Sequence, residues 1–277
     1  MWTNYHSHTN YCDGSDDMHL YVEAAAKQKM LAYGYSSHAP VPFPCKWCMK
    51  LDRLAEYVAG VRKIQEQWKE QIEIYCGLEV DYIPNIIGPS TDYIKEAGLD
   101  YHIGSIHFID AFDDGTPWEI DGLHSIFKDG LQRIFKNDLQ AALERYYALT
   151  REMVVEDCPD VVGHLDKIKI QNRSLFSEDA DWYRKAVMQT LEEIAAKGVI
   201  MEVNTRGLYK KRVLETYPSR WILIEAKQMG IPIMLNSDSH HPREITGEFE
   251  RAAEVIRSAG YKEVQVLLKQ EWQPRPI

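Results

Sequence analysis

Seven times along the chain, a short run of β-forming residues gives way to a longer segment with helical periodicity. Strands alternating with helices call for a largely parallel sheet, because a chain that returns through a helix re-enters the sheet in the same direction. The alternation runs from end to end with no linker, low-complexity tract or internal repeat, so residues 1–277 read as a single domain. A chain of that length buries a sizeable core in one large α/β barrel.

The strand-like runs fall near residues 3–8, 32–37, 72–83, 101–109, 161–163, 199–205 and 231–240. The clearest helix follows the second of them: Leu51, Leu54, Val58, Val61, Ile64 and Trp68 recur at spacings of three and four, one apolar face that reads as core packing. Other helices are expected over 18–30, with Ser15 as N-cap, over 91–97, 138–155 and 246–258, and over 180–197, stopped by Gly198. Residues 110–137, rich in Asp, Gly and Trp, read as an irregular stretch over the site. In it, His124 is a surface residue or a substrate contact, and His19 belongs to an exposed helical face.

Polar residues gather where these strands end. His6 and His8 are two apart, so on a strand both imidazoles point the same way, and Asp13 follows in the first loop. The second strand delivers His38 before Pro40 stops it. Glu79 stands inside an apolar run, where a carboxylate is costly unless paired or bound to a cation. His102 and His107 lie five positions apart on opposite faces, so at most one of them joins the others. His164 closes the fifth strand with Asp166 two beyond. The sixth carries Glu202 and Asn204 on one face and leads to Arg206, Lys210, Lys211 and Arg212; the seventh closes on Asp238 and His240.

In a parallel barrel those strand ends meet on one face. His6, His8, Asp13, His38, Glu79, His107, His164, Asp238 and His240 would then share one cup. An isolated His-x-His is more often a surface pair, but nine such groups from six of seven strand ends are hard to explain as satisfied core residues. Imidazoles and carboxylates without thiolate suit zinc, manganese, iron or cobalt. At three or four protein ligands per ion, they imply two or three ions. A multinuclear centre with basic residues beside it fits phosphate-ester hydrolysis, with ions about 4 Å apart activating water and clamping the attacking and leaving oxygens.

Composition narrows the alternatives. The net charge is −10, with 32 basic and 42 acidic residues and no basic stripe, which argues against a dedicated nucleic-acid binder. No apolar stretch approaches bilayer length and no basic leader precedes an apolar run, so a soluble, cytoplasmic protein is expected, with no membrane partner. Five scattered cysteines (Cys12, Cys45, Cys48, Cys76 and Cys158) read as reduced thiols. The single Cys45-x-x-Cys48 has no second ligand pair that would make it a zinc site. No cysteine stands six residues before an arginine, no DxDx[TV] follows an apolar strand, and no GxSxG or GxxxxGK[ST] occurs, so metal-assisted displacement is the phosphatase chemistry left.

At HSH with Asp13, SSHAP around His38, GLE at Glu79, SIH at His107, GHLD at His164 and SDSH at Asp238, the chain resembles the polymerase and histidinol phosphatase (PHP) superfamily, in the family's order and over nearly its whole length. HAPVPF, GSIH, VVGHLDKIK and EVNTRGL are similar to its histidinol-phosphatase branch in particular. Ser37, where relatives often carry an acid, and the PCKWC insert depart from the pattern; the insert would reshape the substrate mouth.

The resemblance implies a distorted (β/α)7 barrel holding three divalent ions of zinc, manganese or iron. His6, His8, Glu79 and Asp238 would hold the first, Glu79, His107 and His164 the second, and Asp13, His38 and His240 the third. A small phosphorylated substrate would bind through Arg206, assisted by Lys169 or Lys210. The implied reaction is L-histidinol phosphate plus water to L-histidinol and phosphate, in histidine biosynthesis. A hydroxide bridging two ions would attack phosphorus, with Glu79, Asp238, His240 and Arg206 carrying the catalysis and His240, Asp166 or water protonating the leaving group. The alternative within the family is a phosphoesterase acting on nucleotides or nucleic-acid ends. An amidohydrolase would leave Asp13, His38 and Glu79 without roles, and a sensor without turnover would not need a complete ligand set.

Overall fold

The computed structural model describes residues 1–277. Seven parallel strands carry it: β1 (Thr3–Asn4), β2 (Ala32–Tyr35), β3 (Glu73–Asp81), β4 (Tyr101–Ser105), β5 (Val161–Val162), β6 (Ile200–Asn204) and β7 (Ile233–Asn236). They hydrogen-bond in chain order, every pair parallel, as right-handed strand–helix–strand connections require.

The seam between β7 and β1 is closed mainly by side chains. Ser7 and Ser239 form a single parallel bridge, with the His8 N–H donating to the Ser239 carbonyl at 2.8 Å. Before that bridge, amides stand in for strand carbonyls: the Tyr5 N–H donates to Asn236 Oδ1 at 2.8 Å and the Ser237 N–H to Asn4 Oδ1 at 2.9 Å. Buried N–H groups that would otherwise be orphaned are thereby paired, and the result is a nearly closed, distorted barrel.

The interior is filled by size matching near the strands' N-terminal ends. The Tyr101 ring lies over Gly34 and Gly77, where any Cβ would fall 2.4 Å from it, and its hydroxyl donates to the Tyr5 and Tyr35 carbonyls. Two residues further along the same inward faces, Glu79 pairs in register with Ile103, so the polar layer begins where the aromatic plug ends. Outside, α1 (Met18–Lys27) and α2 (Leu54–Trp68) cover β2 and β3 with Tyr21, Val22, Tyr57, Val61 and Ile64. The remaining helices, among them α3 (Leu139–Glu156) and α4 (Asp181–Lys197), pack on the other strands, and a terminal hairpin (Glu263–Leu268 with Glu271–Pro276) seals Tyr5 through Trp272.

Several boundaries differ from the sequence reading. Asp17 caps α1 in place of Ser15, its carboxylate accepting the His19 N–H. The fourth strand stops at Ser105 because the His107 N–H turns aside to Asp81 Oδ1 at 3.1 Å. The stretch expected to be irregular contains an antiparallel hairpin (Phe108–Ala111 with Pro117–Glu119) and a helix (His124–Arg133). Cys45 and Cys48 are joined in a disulfide, so the all-reduced reading of the thiols is corrected; Cys12, Cys76 and Cys158 are free. No helix is long and apolar enough to cross a membrane.

Asn236 also donates to Glu202 Oε1 at 3.0 Å. Asn236→Ala strips a buried N–H of its partner and a buried carboxylate of one of its donors, and the expected loss of stability is about 2–4 kcal/mol. Denaturant unfolding of the two proteins measures it; a loss under about 0.5 kcal/mol would mean that the seam does not depend on this amide.

Candidate metal centre

Glu79 is the centre of the site. It is buried, and its Oε2 lies 3.1 Å from His6 Nε2, 3.4 Å from His8 Nε2 and 3.0 Å from His38 Nδ1. Its Oε1 lies 2.9 Å from His164 Nε2 and 3.6 Å from His107 Nε2, and accepts the Ser105 hydroxyl at 2.6 Å. Asp238 Oδ1 stands 3.2 Å from His8 Nε2 and 3.5 Å from His240 Nδ1; Asp13 Oδ2 is 3.2 Å from His240 Nε2. All nine residues named from the sequence therefore lie in one cup at the C-terminal ends of the strands.

Local structure explains the placement. Gly14 lets the first loop fold back so that Asp13 reaches His240: a Cβ there would sit 2.1 Å from the His8 carbonyl oxygen. Asp238 takes φ +52°, a left-handed conformation that aspartate tolerates better than most residues and that turns the chain off β7. His102 pairs with Asp160 at 3.0 Å and stays away from the cup, as the five-residue spacing from His107 requires.

Three sets of donor atoms are close enough to share an ion: His8, Asp13, His38 and His240; His6, His8 and Asp238; His38, Glu79 and His107. His164 touches Glu79 but belongs to none of the three sets. Nε2 of His6, Nε2 of His8 and Nδ1 of His38 are buried without a hydrogen-bond partner. Orphaned acceptors of that kind cost about 1–3 kcal/mol each, and a cation among them removes the cost. The residues thus fit divalent metal.

Carboxylates behind the imidazoles fix which ring nitrogen faces inward. Glu202 Oε1 lies 2.6 Å from His6 Nδ1, while its Oε2 accepts the His164 N–H at 2.8 Å; Asp81 Oδ1 lies 3.0 Å from His107 Nδ1. Glu202 was legible only as an acid sharing a face with Asn204, and Asp81 was missed, although it lies two residues after Glu79 on the same strand face.

The electrostatics divide the histidines. Burial, with His240 and His38 nearby, holds His8 well below its ordinary value and therefore neutral; burial and Lys167 lower His164, and burial and Arg206 lower His240. Against burial, Glu202, Glu79 and Asp238 raise His6 well above its usual range, and Asp81 and Glu79 push His107 up to about 10. Against burial too, His6, His38 and His107 hold the Glu79 carboxyl well below the usual range. The cup is thus rich in negative charge, which protons on His6 and His107 offset and which a divalent cation would offset in their place.

An inner cavity of about 120 Å³ over this cluster opens into an outer one of about 880 Å³. Arg206, Lys167, Glu119 and Asp121 line both. Arg206 Nη1 donates to the Asp238 carbonyl at 2.8 Å and lies 2.6 Å from His240 Nδ1. Lys167 Nζ is 3.5 Å from both Asp121 and Asp238.

Lys167, and not Lys169, faces the cavity. The Lys169 ammonium spends its three protons on Asp166, the Thr216 carbonyl and Ser219, at 2.8, 2.7 and 2.6 Å, and faces neither cavity, because two steps along a tight 3₁₀ turn point it inward. Asp166 is buried in the same knot, which removes it as a proton donor to substrate. Lys210 lies on the outer rim in an ion pair with Glu244, and His124 lines the outer cavity beside Gln171. The Cys45–Cys48 loop carries Trp47, whose ring centre is 4.5 Å from that of His38 and which stacks on Phe108, so the insert does form part of the inner wall.

Residues 4–206 match the model of the PHP domain. A protein of Deinococcus radiodurans named "probable histidinol-phosphatase" is 29% identical over 270 residues, 94% of each chain. The histidinol-phosphatase of Bacillus subtilis is 28% identical over 260 residues, 88% of this chain and 96% of that one. The crystal structure of histidinol phosphate phosphatase from Lactococcus lactis, complexed with zinc, L-histidinol and phosphate, has the same fold, with a TM-score of 0.74 at 20% identity over 98% of both chains.

Because Glu202 holds both the His6 imidazole and the His164 backbone N–H, Glu202→Gln is expected to weaken retention of divalent metal about 10- to 100-fold while the protein stays folded. Metal per chain after dialysis against graded chelator reads this; unchanged retention would mean that the carboxylate's charge does not matter to the site.

Proposed function

The chain belongs to the PHP domain family, and on that premise we propose that it is a divalent-metal-dependent phosphomonoesterase that hydrolyses L-histidinol phosphate to L-histidinol and phosphate, in histidine biosynthesis. The observation that carries the reading is the cluster around Glu79: five imidazoles within 3.6 Å of its oxygens, three overlapping donor sets that also draw in Asp13, Asp238 and His240, and Arg206 and Lys167 on the wall beside them. The names of the relatives, matched along nearly the whole chain, and the zinc, histidinol and phosphate bound in the Lactococcus structure support the same substrate.

In this reading His6, His8, Glu79 and Asp238 would hold one ion, Glu79, His107 and His164 a second, and Asp13, His38 and His240 a third. Such ions would supply Lewis acidity, acidifying a water and drawing charge from the phosphoryl oxygens. The chain does the rest. Arg206, anchored on the Asp238 carbonyl, and Lys167 present positive charge to the phosphate and stabilise what develops on its oxygens. Trp47, stacked on Phe108, gives the inner cavity an apolar wall, and low-dielectric surroundings strengthen those interactions. With His240 in the ligand set and Asp166 buried against Lys169, water is the remaining proton donor to the leaving oxygen.

Phosphate release from L-histidinol phosphate by protein loaded with manganese or zinc tests this. Turnover well above that on p-nitrophenyl phosphate and nucleotides is expected, abolished by chelation and lowered at least about 10²- to 10³-fold in Glu79→Gln. Faster cleavage of nucleotides would transfer the enzyme to nucleotide or nucleic-acid-end chemistry. Bound metal without turnover on any ester would overturn the enzymatic reading.

A further inference from the structure

Two carboxylates on the cavity wall belong to no candidate metal set: Glu119 and Asp121, both from the segment that follows β4. They are not equivalent. Asp121 is already matched by Lys167, 3.5 Å away. Glu119 forms no ion pair, and burial together with Asp121 pushes its carboxyl up, against a smaller opposing effect of the Trp47 indole and His107. It stands where the inner cavity opens into the outer one. The turn beyond it is built to leave it there, since a Cβ on Gly122 would fall 2.4 Å from Glu119 Oε1.

Around this carboxylate the wall is basic: Lys167 and Arg206 inside, Arg173, Lys211 and Arg212 outside. Those groups welcome a phosphate and repel an ammonium. A ligand carrying both must set its phosphate inward and its cation against the one acid that has no cation of its own. We propose that Glu119 is the specificity-determining residue that binds the ammonium of an aminoalkyl phosphate whose amine sits on the carbon next to the ester carbon. This rests on the reading above, for L-histidinol phosphate has that arrangement.

The test compares wild type and Glu119→Gln on L-histidinol phosphate and on 3-(imidazol-4-yl)propyl phosphate, which lacks only the amine and the stereocentre. In wild type the aminated ester is preferred. In the variant the ratio of kcat/KM for the two falls about 10- to 100-fold, the size of one charge-assisted hydrogen bond, mostly through KM. Metal content serves as the check on the centre itself. Gly122→Ala, which pushes the carboxylate aside, moves the ratio the same way. An unchanged ratio in Glu119→Gln, or an equal loss on both esters, overturns the proposal. If wild type does not turn over L-histidinol phosphate at all, the functional reading fails by itself. Glu119 is then judged on O-phosphoethanolamine against ethyl phosphate: a preference lost in Glu119→Gln supports it, and a preference retained overturns it.

Discussion

One buried carboxylate governs this structure. Taking Glu79 out of water costs several kcal/mol unless opposite charge and hydrogen bonds replace the solvent. Here the replacement is five imidazole rings from four strand ends, plus the Ser105 hydroxyl. Those rings are themselves buried, and two of them, His6 and His107, in turn lean on Glu202 and Asp81. Negative charge thus occurs at the centre and again behind the rings. A cation among the rings completes the alternation, so metal binding, proton release and the stability of this end of the barrel are one coupled equilibrium.

That coupling reaches the barrel seam. Asn236 holds the Tyr5 N–H with its oxygen and Glu202 with its nitrogen, and Glu202 holds His6. The seam therefore closes with the imidazole already aimed. A regular ladder between β7 and β1 would need backbone where these amides stand. The distortion of the barrel and the orientation of the centre have a common cause.

What could be read from the sequence follows from what sequence spacing encodes. His6 and His8 at an interval of two, and Glu79 inside an apolar run, report strand faces directly, and strand ends in a parallel sheet converge without further information. Lys167 against Lys169 was not legible: the choice depends on how a 3₁₀ turn of five residues is rotated, and both carry the same charge. Glu119 and Asp121 were missed because their segment is a hairpin with a register shift, which has no clean period to read. The Cys45–Cys48 pairing was missed because a CxxC is compatible with thiols, metal or a disulfide, and only the fold of the loop around Trp47 decides.

The division of labour in the cavity has a consequence for specificity. Strand ends supply the groups around Glu79, and changing any of them alters a buried charge balance. The segment between β4 and β5 supplies Glu119 and Asp121, and the Cys45–Cys48 loop supplies Trp47; none of these belongs to the candidate metal sets. Loops carried on a rigid scaffold tolerate change that the scaffold does not. The same centre under a different hairpin would therefore keep its phosphate chemistry and lose its choice of ester. In this chain the hairpin brings an unpaired carboxylate to a cationic rim, and that asymmetry favours a small zwitterionic ester over a polyanion.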